Sequence, residues 1–156
     1  MHKERSMETQ IRKAEFSDAP VIADFNAAMA LETEQIELDR KILRNGVEAL
    51  LADPSKGYYY LAERDGKIAG QLMITFEWSD WRNADFWWIQ SVYVLPEFRE
   101  QGVFRSLYTF IESLARSRGN VCGLRLYVEK GNVRARRTYE TLGMHGSHYE
   151  MMEIAL

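Results

Sequence analysis

Apolar positions along the chain change period several times, and each change marks an element. The stretch TQIRKAEF (9–16) can form a first strand and is ended by SDAP. Ser17 or Asp18 can cap the next helix, with Pro20 in its first turn. From 19 to 31, Val21, Ile22, Phe25 and Met29 fall near one helical face. A second periodic run, Ile36, Leu43, Val47, Leu50 and Leu51, stops at ADPSKG. The period then drops to two: YYYLAERDGKIAGQLMITFEW reads as two strands around the turn Asp65-Gly66. A polar loop, SDWRNAD (79–85), separates them from a strand FWWIQSVYVL (86–95). Beyond it the pattern predicts a helix over 102–117, a strand over 121–129, a helix from Asn132 to Leu142 and a last strand within 144–155. The order β-α-α-β-β-β-α-β-α-β belongs to the α/β (α+β) class, a mixed sheet with helices on its faces. Strand 86–95, its helix and strand 121–127 fit a right-handed βαβ crossover, which sets the helix start at the carboxyl end of the strand, where open α/β sheets bind ligands.

The bend at that point is too polar for a simple reversal. Arg99, Glu100, Gln101 and Gly102 lead directly into the periodic run Val103, Leu107, Phe110, Ile111, Leu114. A helix start presents backbone N–H groups with no partner inside the helix, together with the positive end of its dipole, and both suit a phosphate or pyrophosphate. Gly102 permits close approach, and Arg99 and Arg105 add charge. Pro96 marks where Leu95 leaves regular pairing, so backbone groups of Val92, Tyr93, Val94 and Leu95 are expected to be available to an extended ligand. The glycine spacing is neither a dinucleotide fingerprint nor a Walker loop, and an ordinary capped helix start has the same local pattern.

Composition narrows the classes without choosing among them. At 156 residues, 46% hydrophobic and 28% charged, the chain suits one globular domain, expected over 9–156 behind a polar leader at 1–8 in which Met7 offers an alternative start. A net charge of -3 gives no global attraction to nucleic acid or anionic membrane. No apolar run is long enough for a membrane span or a secretion signal, which points to the cytoplasm. Cys122 is the single cysteine, expected to pack in its strand, and His145 and His148 lack further ligands, so no metal is expected.

The segment VYVLPEFREQGVFRSLY (92–108) resembles the acyl-CoA binding segment of the GNAT superfamily of N-acetyltransferases, Arg/Gln-x-x-Gly-x-Gly/Ala after a valine-rich strand and a proline. Arg99 and Gly102 fall on the pattern, and Phe104 departs from it. A second segment, EKGNVRARRTYETLGM (129–144), resembles the distal signature through Asn132, Ala135, Tyr139, Leu142, Gly143 and Met144. The resemblance spans roughly 9–156. It implies a mostly antiparallel sheet flanked by helices and acetyl-CoA as acyl donor. Pantetheine would lie along Val92, Tyr93 and Val94. The pyrophosphate would lie at the turn from Arg99, Glu100, Gln101 and Gly102 into Val103, Phe104 and Arg105. Asn132, Ala135 and Tyr139 complete the donor site, with Tyr139 as the acid that protonates the departing thiolate.

The acceptor side is an amine that must lose a proton before it attacks. The strand from Phe86 to Val94 carries no carboxylate, which leaves Glu77 on the preceding strand and Glu32, Glu34 and Glu37 in the joint between the first two helices. The block LETEQIELD favours a cationic or small amine acceptor. Gln90 can place a water, and Trp78, Trp81, Trp87 and Trp88 supply aromatic faces. A non-catalytic CoA sensor or structural protein, a larger acyl donor and a homodimer all stay open at this stage.

Overall fold

The computed structural model describes residues 8–156, so the expected leader lies outside the described residues except for its last position. The chain forms two compact units, one ending at Leu126 and the other spanning Tyr127–Leu156. The first holds β1 (Gln10–Lys13), α1 (Ala19–Glu34), α2 (Arg40–Ala52), β2 (Tyr58–Arg64), β3 (Lys67–Ser79), β4 (Ala84–Val94), α3 (Val103–Arg118) and β5 (Val121–Leu126). The second holds α4 (Val133–Thr141).

The five strands make one sheet in chain order, β1-β2-β3-β4-β5. The first three pairings are antiparallel and the last, joined through α3, is parallel. Asp65 (φ 50°) and Gly66 (φ 74°) both adopt the left-handed conformation that a two-residue hairpin between Arg64 and Lys67 demands. The expected loop 79–85 is shorter than its polarity suggested, because β3 and β4 stay paired out to Ser79 and Ala84.

Neighbouring residues on a strand face opposite ways, and β2 uses both. Tyr59 and Leu61 join Ile22, Ala23, Val47 and Leu50 of α1 and α2 in one core. Tyr60 turns to the other face and meets Phe110 of α3, ring centroids 5.6 Å apart. Leu61, Leu72, Ile74, Leu107 and Ile111 are completely buried, and each such side chain contributes ~2 kcal/mol of hydrophobic stabilisation.

Helix entries differ from expectation in two places. Asp18 precedes α1, but its carboxylate makes no cap bond to the helix; it accepts from the Glu15 N–H at 2.7 Å and from the Arg12 guanidinium at 2.8 and 2.9 Å. Asp39 is the side chain that starts α2, accepting from Lys41 and Ile42 N–H at 2.9 Å, which leaves Ile36 exposed in the joint. The expected strand within 144–155 does not form. A strand exists through ladder bonds to a neighbour, and among the described residues the sheet offers 144–156 no such pairing. Cys122, expected to be packed away, is exposed.

Candidate active site

The turn before α3 reverses the backbone twice within three residues: Glu100 (φ 62°) and Gly102 (φ 78°) are both left-handed. For Glu100 that conformation costs about 1–2 kcal/mol, and strain of this kind collects at functional turns. Gly102 is the N-cap of α3, and no side chain supplies the cap bond. The amides of Val103, Phe104 and Arg105 have no carbonyl one turn back inside the helix; the first intrahelical bond runs from Ser106 N–H to Gly102 O at 3.0 Å. A β-carbon at 102 would meet no atom within 4 Å, so the approach to the turn is open on that side. Behind it, Gly70 lets the helix start sit on the sheet, since a β-carbon there would stand 3.2 Å from Val103 Cγ1 and 2.9 Å from Tyr93 O. Phe104, the departure from the motif, packs its ring against Tyr108 of the same helix, centroids 6.2 Å apart. Arg105 is exposed in the first turn.

Strand β4 opens just ahead of this turn. Its pairing with β5 ends at Ile89↔Leu126, whereas its pairing with β3 continues to Val94. Ser91 (φ 50°) forms a bulge, where the register skips between Gln71 and Met73. Leu95 N–H bonds Ala69 O on β3 at 2.8 Å, so by alternation Val94 and Val92 turn their backbone groups to the other edge. One of these is taken: the Val94 carbonyl accepts from Arg99 Nε at 2.9 Å. Tyr93 turns its backbone to β3 and its ring to α1, where it packs on Phe25 at 5.2 Å and donates its hydroxyl to Glu32 at 3.0 Å.

Arg99, expected at phosphate, has partners within the fold. Its guanidinium pairs with Glu32 at 2.7 Å and lies 5.5 Å from the Tyr93 ring. Arg99, and secondarily the Tyr93 hydroxyl, holds the Glu32 carboxyl below its usual range against the opposing effect of burial. Burial, and then Glu32, pushes the Tyr93 phenol up. Gln101 is likewise folded into the turn, donating to Glu97 O at 2.8 Å and accepting from Arg64 at 2.8 Å. Arg64, which the sequence did not single out, is buried at the end of β2; it also reaches Gln101 O at 3.3 Å and Thr9 Oγ1 at 3.0 Å.

On the face covered by α1 and α2 lies a cavity of about 560 Å³, bounded by residues of both helices, β2, β3 and Ser91 of β4. Its floor is a buried polar network. Asn26 Nδ2 donates to the Tyr59 hydroxyl at 3.0 Å, and Gln71 Nε2 donates to Asn26 Oδ1 at 2.9 Å and to Ser91 O at 3.1 Å. Gln71 Oε1 is buried with no partner among the described residues. Burial pushes the Tyr59 phenol up.

Of the four acids expected at the acceptor side, Glu34 lines this cavity. Glu32 is spent on Arg99 and Tyr93, and Glu37 is exposed in the joint. Glu77 accepts from Trp88 Nε1 at 3.0 Å and from Arg125 at 2.9 Å, so both of its oxygens are engaged. Gln90 donates to Thr75 Oγ1 at 2.6 Å, which fixes its amide on the cavity's face of the sheet. Trp81 and Trp78 stand exposed at the β3–β4 tip while Trp87 is buried.

In the second unit Asn132 caps α4 as expected, its side chain accepting from Ala135 N–H at 3.0 Å. Ala135 and Tyr139 follow one turn apart, both half-buried, and burial pushes the Tyr139 phenol above its usual range. Gly143 (φ 95°) ends the helix with its N–H on Glu140 O at 3.0 Å. Arg134, Arg136 and Arg137 are exposed along α4.

A helix start whose first amides are open follows a strand that splays from its parallel neighbour. The acetyltransferase (GNAT) family model matches residues 17–144, and the chain belongs to that family. The family's acyl donor is acetyl-CoA, which fixes the donor substrate here. Among solved structures, a possible acetyltransferase from Clostridium difficile 630 is 46% identical with a TM-score of 0.90, over 95% of this chain and 97% of that one. A predicted acetyltransferase with acetyl-CoA from Clostridium acetobutylicum shares the fold at 20% identity, TM-score 0.75, over 95% and 96% of the two chains. Glucosamine-6-phosphate N-acetyltransferase from Arabidopsis thaliana does so at 19%, TM-score 0.72, over 94% and 98%. No curated protein sequence matches the chain. No helix among the described residues is long and apolar enough to cross a membrane.

Proposed function

We propose that the chain, acting as one catalytic domain over 9–156, moves acetyl from acetyl-CoA directly to the nitrogen of a small amine. The observation that carries this reading is that Ser91 marks two things at once: the bulge where β4 has left β5, and a wall of the cavity beneath α1 and α2. The thioester would lie along the open β4 edge, with the amides of Val92 and Val94 toward it and one N–H on the carbonyl oxygen where negative charge develops. Amides from Gln101 to Arg105 would hold the pyrophosphate, with Arg105 the side-chain cation of that turn. An acceptor in the cavity would give a proton to water beside Glu34, and its nitrogen would then attack the thioester carbon. As the carbon–sulfur bond breaks, the sulfur takes the Tyr139 proton. Since its phenol lies above the usual range, Tyr139 holds that proton at neutral pH. The family motif supports Asn132 and Ala135 as further donor contacts.

Gly102 tests the donor half. Both Gly102→Ala and Gly102→Glu impose a side chain on a left-handed backbone and should lose about 1–2 kcal/mol of stability alike. Only the glutamate adds charge where phosphate must approach. Calorimetry should show acetyl-CoA binding kept in the alanine variant and weakened at least ~100-fold in the glutamate variant, on the order of 3 kcal/mol. Equal affinities in two folded variants would refute the assignment.

A further inference from the structure

We infer that the acceptor is a primary amine with a single positive charge and a compact apolar body, free of phosphate and carboxylate groups; this rests on the acetyl-transfer reading above. The cavity is within the size range of small-ligand sites, and its lining is asymmetric. Met29, Leu38, Leu43, Val47 and Met73 supply an apolar wall. Among the described residues that line it, Glu34 is the one charged group, and there is no lysine, arginine or histidine. An acceptor phosphate or carboxylate would therefore be stripped of water against methionine and leucine with no counter-charge, which is strongly unfavourable. A polyamine would face the same problem with its second cation.

The floor is polar and uncharged. Gln71 Nε2 donates to Asn26 and Ser91, and Asn26 Nδ2 donates to Tyr59. Asn26, Tyr59 and Ser91 bound the cavity, so Glu34 is left as the one charged partner in its lining, and that charge suits an amine and opposes an anion. Apolar walls above such a floor give the acceptor its two ends: nitrogen toward Ser91 and β4, body among Leu38, Leu43 and Val47.

The test is a competition among four acceptors with acetyl-CoA, read by thiol release and product mass: 2-phenylethylamine, spermidine, glucosamine 6-phosphate and a short peptide with a free amino-terminal alanine. Phenylethylamine should lead in kcat/KM by about 100-fold, the discrimination that missing or unpaired groups confer in apolar pockets. Gly46 gives an independent handle. It lines the cavity on α2, and a β-carbon there meets no atom within 4 Å. Gly46→Leu should raise the KM for phenylethylamine about tenfold with acetyl-CoA affinity unchanged, and Gly46→Ala serves as the folded control. A higher kcat/KM for the sugar phosphate, the polyamine or the peptide overturns the inference, as does an unchanged KM in a folded Gly46→Leu. Tight acetyl-CoA binding with no acetylation of any amine overturns the acetyl-transfer reading itself, and the inference with it.

Discussion

Tyr139 carries the most exposed chemical claim, because one oxygen separates it from a packing residue. Tyr139→Phe keeps the ring and the end of α4 while removing the proton that the thiolate would take. General-acid assistance is worth about 10²- to 10⁴-fold, and a thiolate is already a fair leaving group, so the acetyl-transfer step should slow by roughly 100-fold or less. Acetyl-CoA affinity should stay the same. Rapid-quench measurement of the chemical step is the relevant readout, since product release can mask the change in kcat; an unaltered step would leave Tyr139 a packing residue. Single residues were also where the fold supplied partners that the sequence did not show. Arg99 and Glu32 were each placed by their local neighbourhood, one at phosphate and one at the acceptor, yet they bond to each other across 67 positions. Glu77 and Arg125 repeat the case across 48. Nothing in a local pattern reports which distant charge will neutralise a side chain, whereas the cap at Asn132 was readable because donor and acceptor lie three residues apart.

The elements were more legible, because periodicity is a local signal with a packing cause. The hairpin at Asp65-Gly66, the α3 face and the parallel return of β5 all follow from it. The missing strand beyond Met144 and the late start of α2 do not, since each depends on a partner or cap that periodicity leaves unspecified. One element-level feature was invisible: the tip of β2 braces the turn before α3 through Arg64, whose guanidinium bonds Thr9 and Gln101. Arg64→Leu should loosen the donor turn while leaving the cavity intact. Acetyl-CoA affinity should fall about tenfold, ~1.4 kcal/mol, with the acceptor KM nearly unchanged, and Arg64→Lys should recover part of the loss. A matched rise in both constants would mean a general loss of structure instead.

Among the described residues the carboxyls of Asp18, Glu32, Asp53 and Glu97 all lie below their ordinary values, and the first two, each held by an arginine, contribute to the response to acid. Arg12 holds Asp18 below its ordinary 3.8, and Arg99 holds Glu32 below its ordinary 4.5. Both groups are more acidic folded than unfolded, so on acidification the unfolded chain takes up protons first. Their stabilisation is complete above those ordinary values and is lost as pH falls through the lower folded ones. Urea midpoints should be level from neutral pH down to about 5 and drop below that. Asp18→Asn, which also removes charge-assisted bonds to Arg12 worth about 1.5–3 kcal/mol, should start lower at neutral pH and decline less steeply. Parallel pH curves for the two proteins would argue against Asp18 as an acid trigger.

The sheet order has a consequence for how the chain comes into being. Each strand pairs with the one made just before it, from β1 through to β5. A chain emerging from the ribosome one end first can therefore add strands in the order they appear, without holding an edge open for a later partner. Every residue that bounds the cavity lies between Asn26 and Ser91, ahead of the turn at 99–105. The wall that would receive the amine can stand before the ribosome has made the turn that would receive the phosphate.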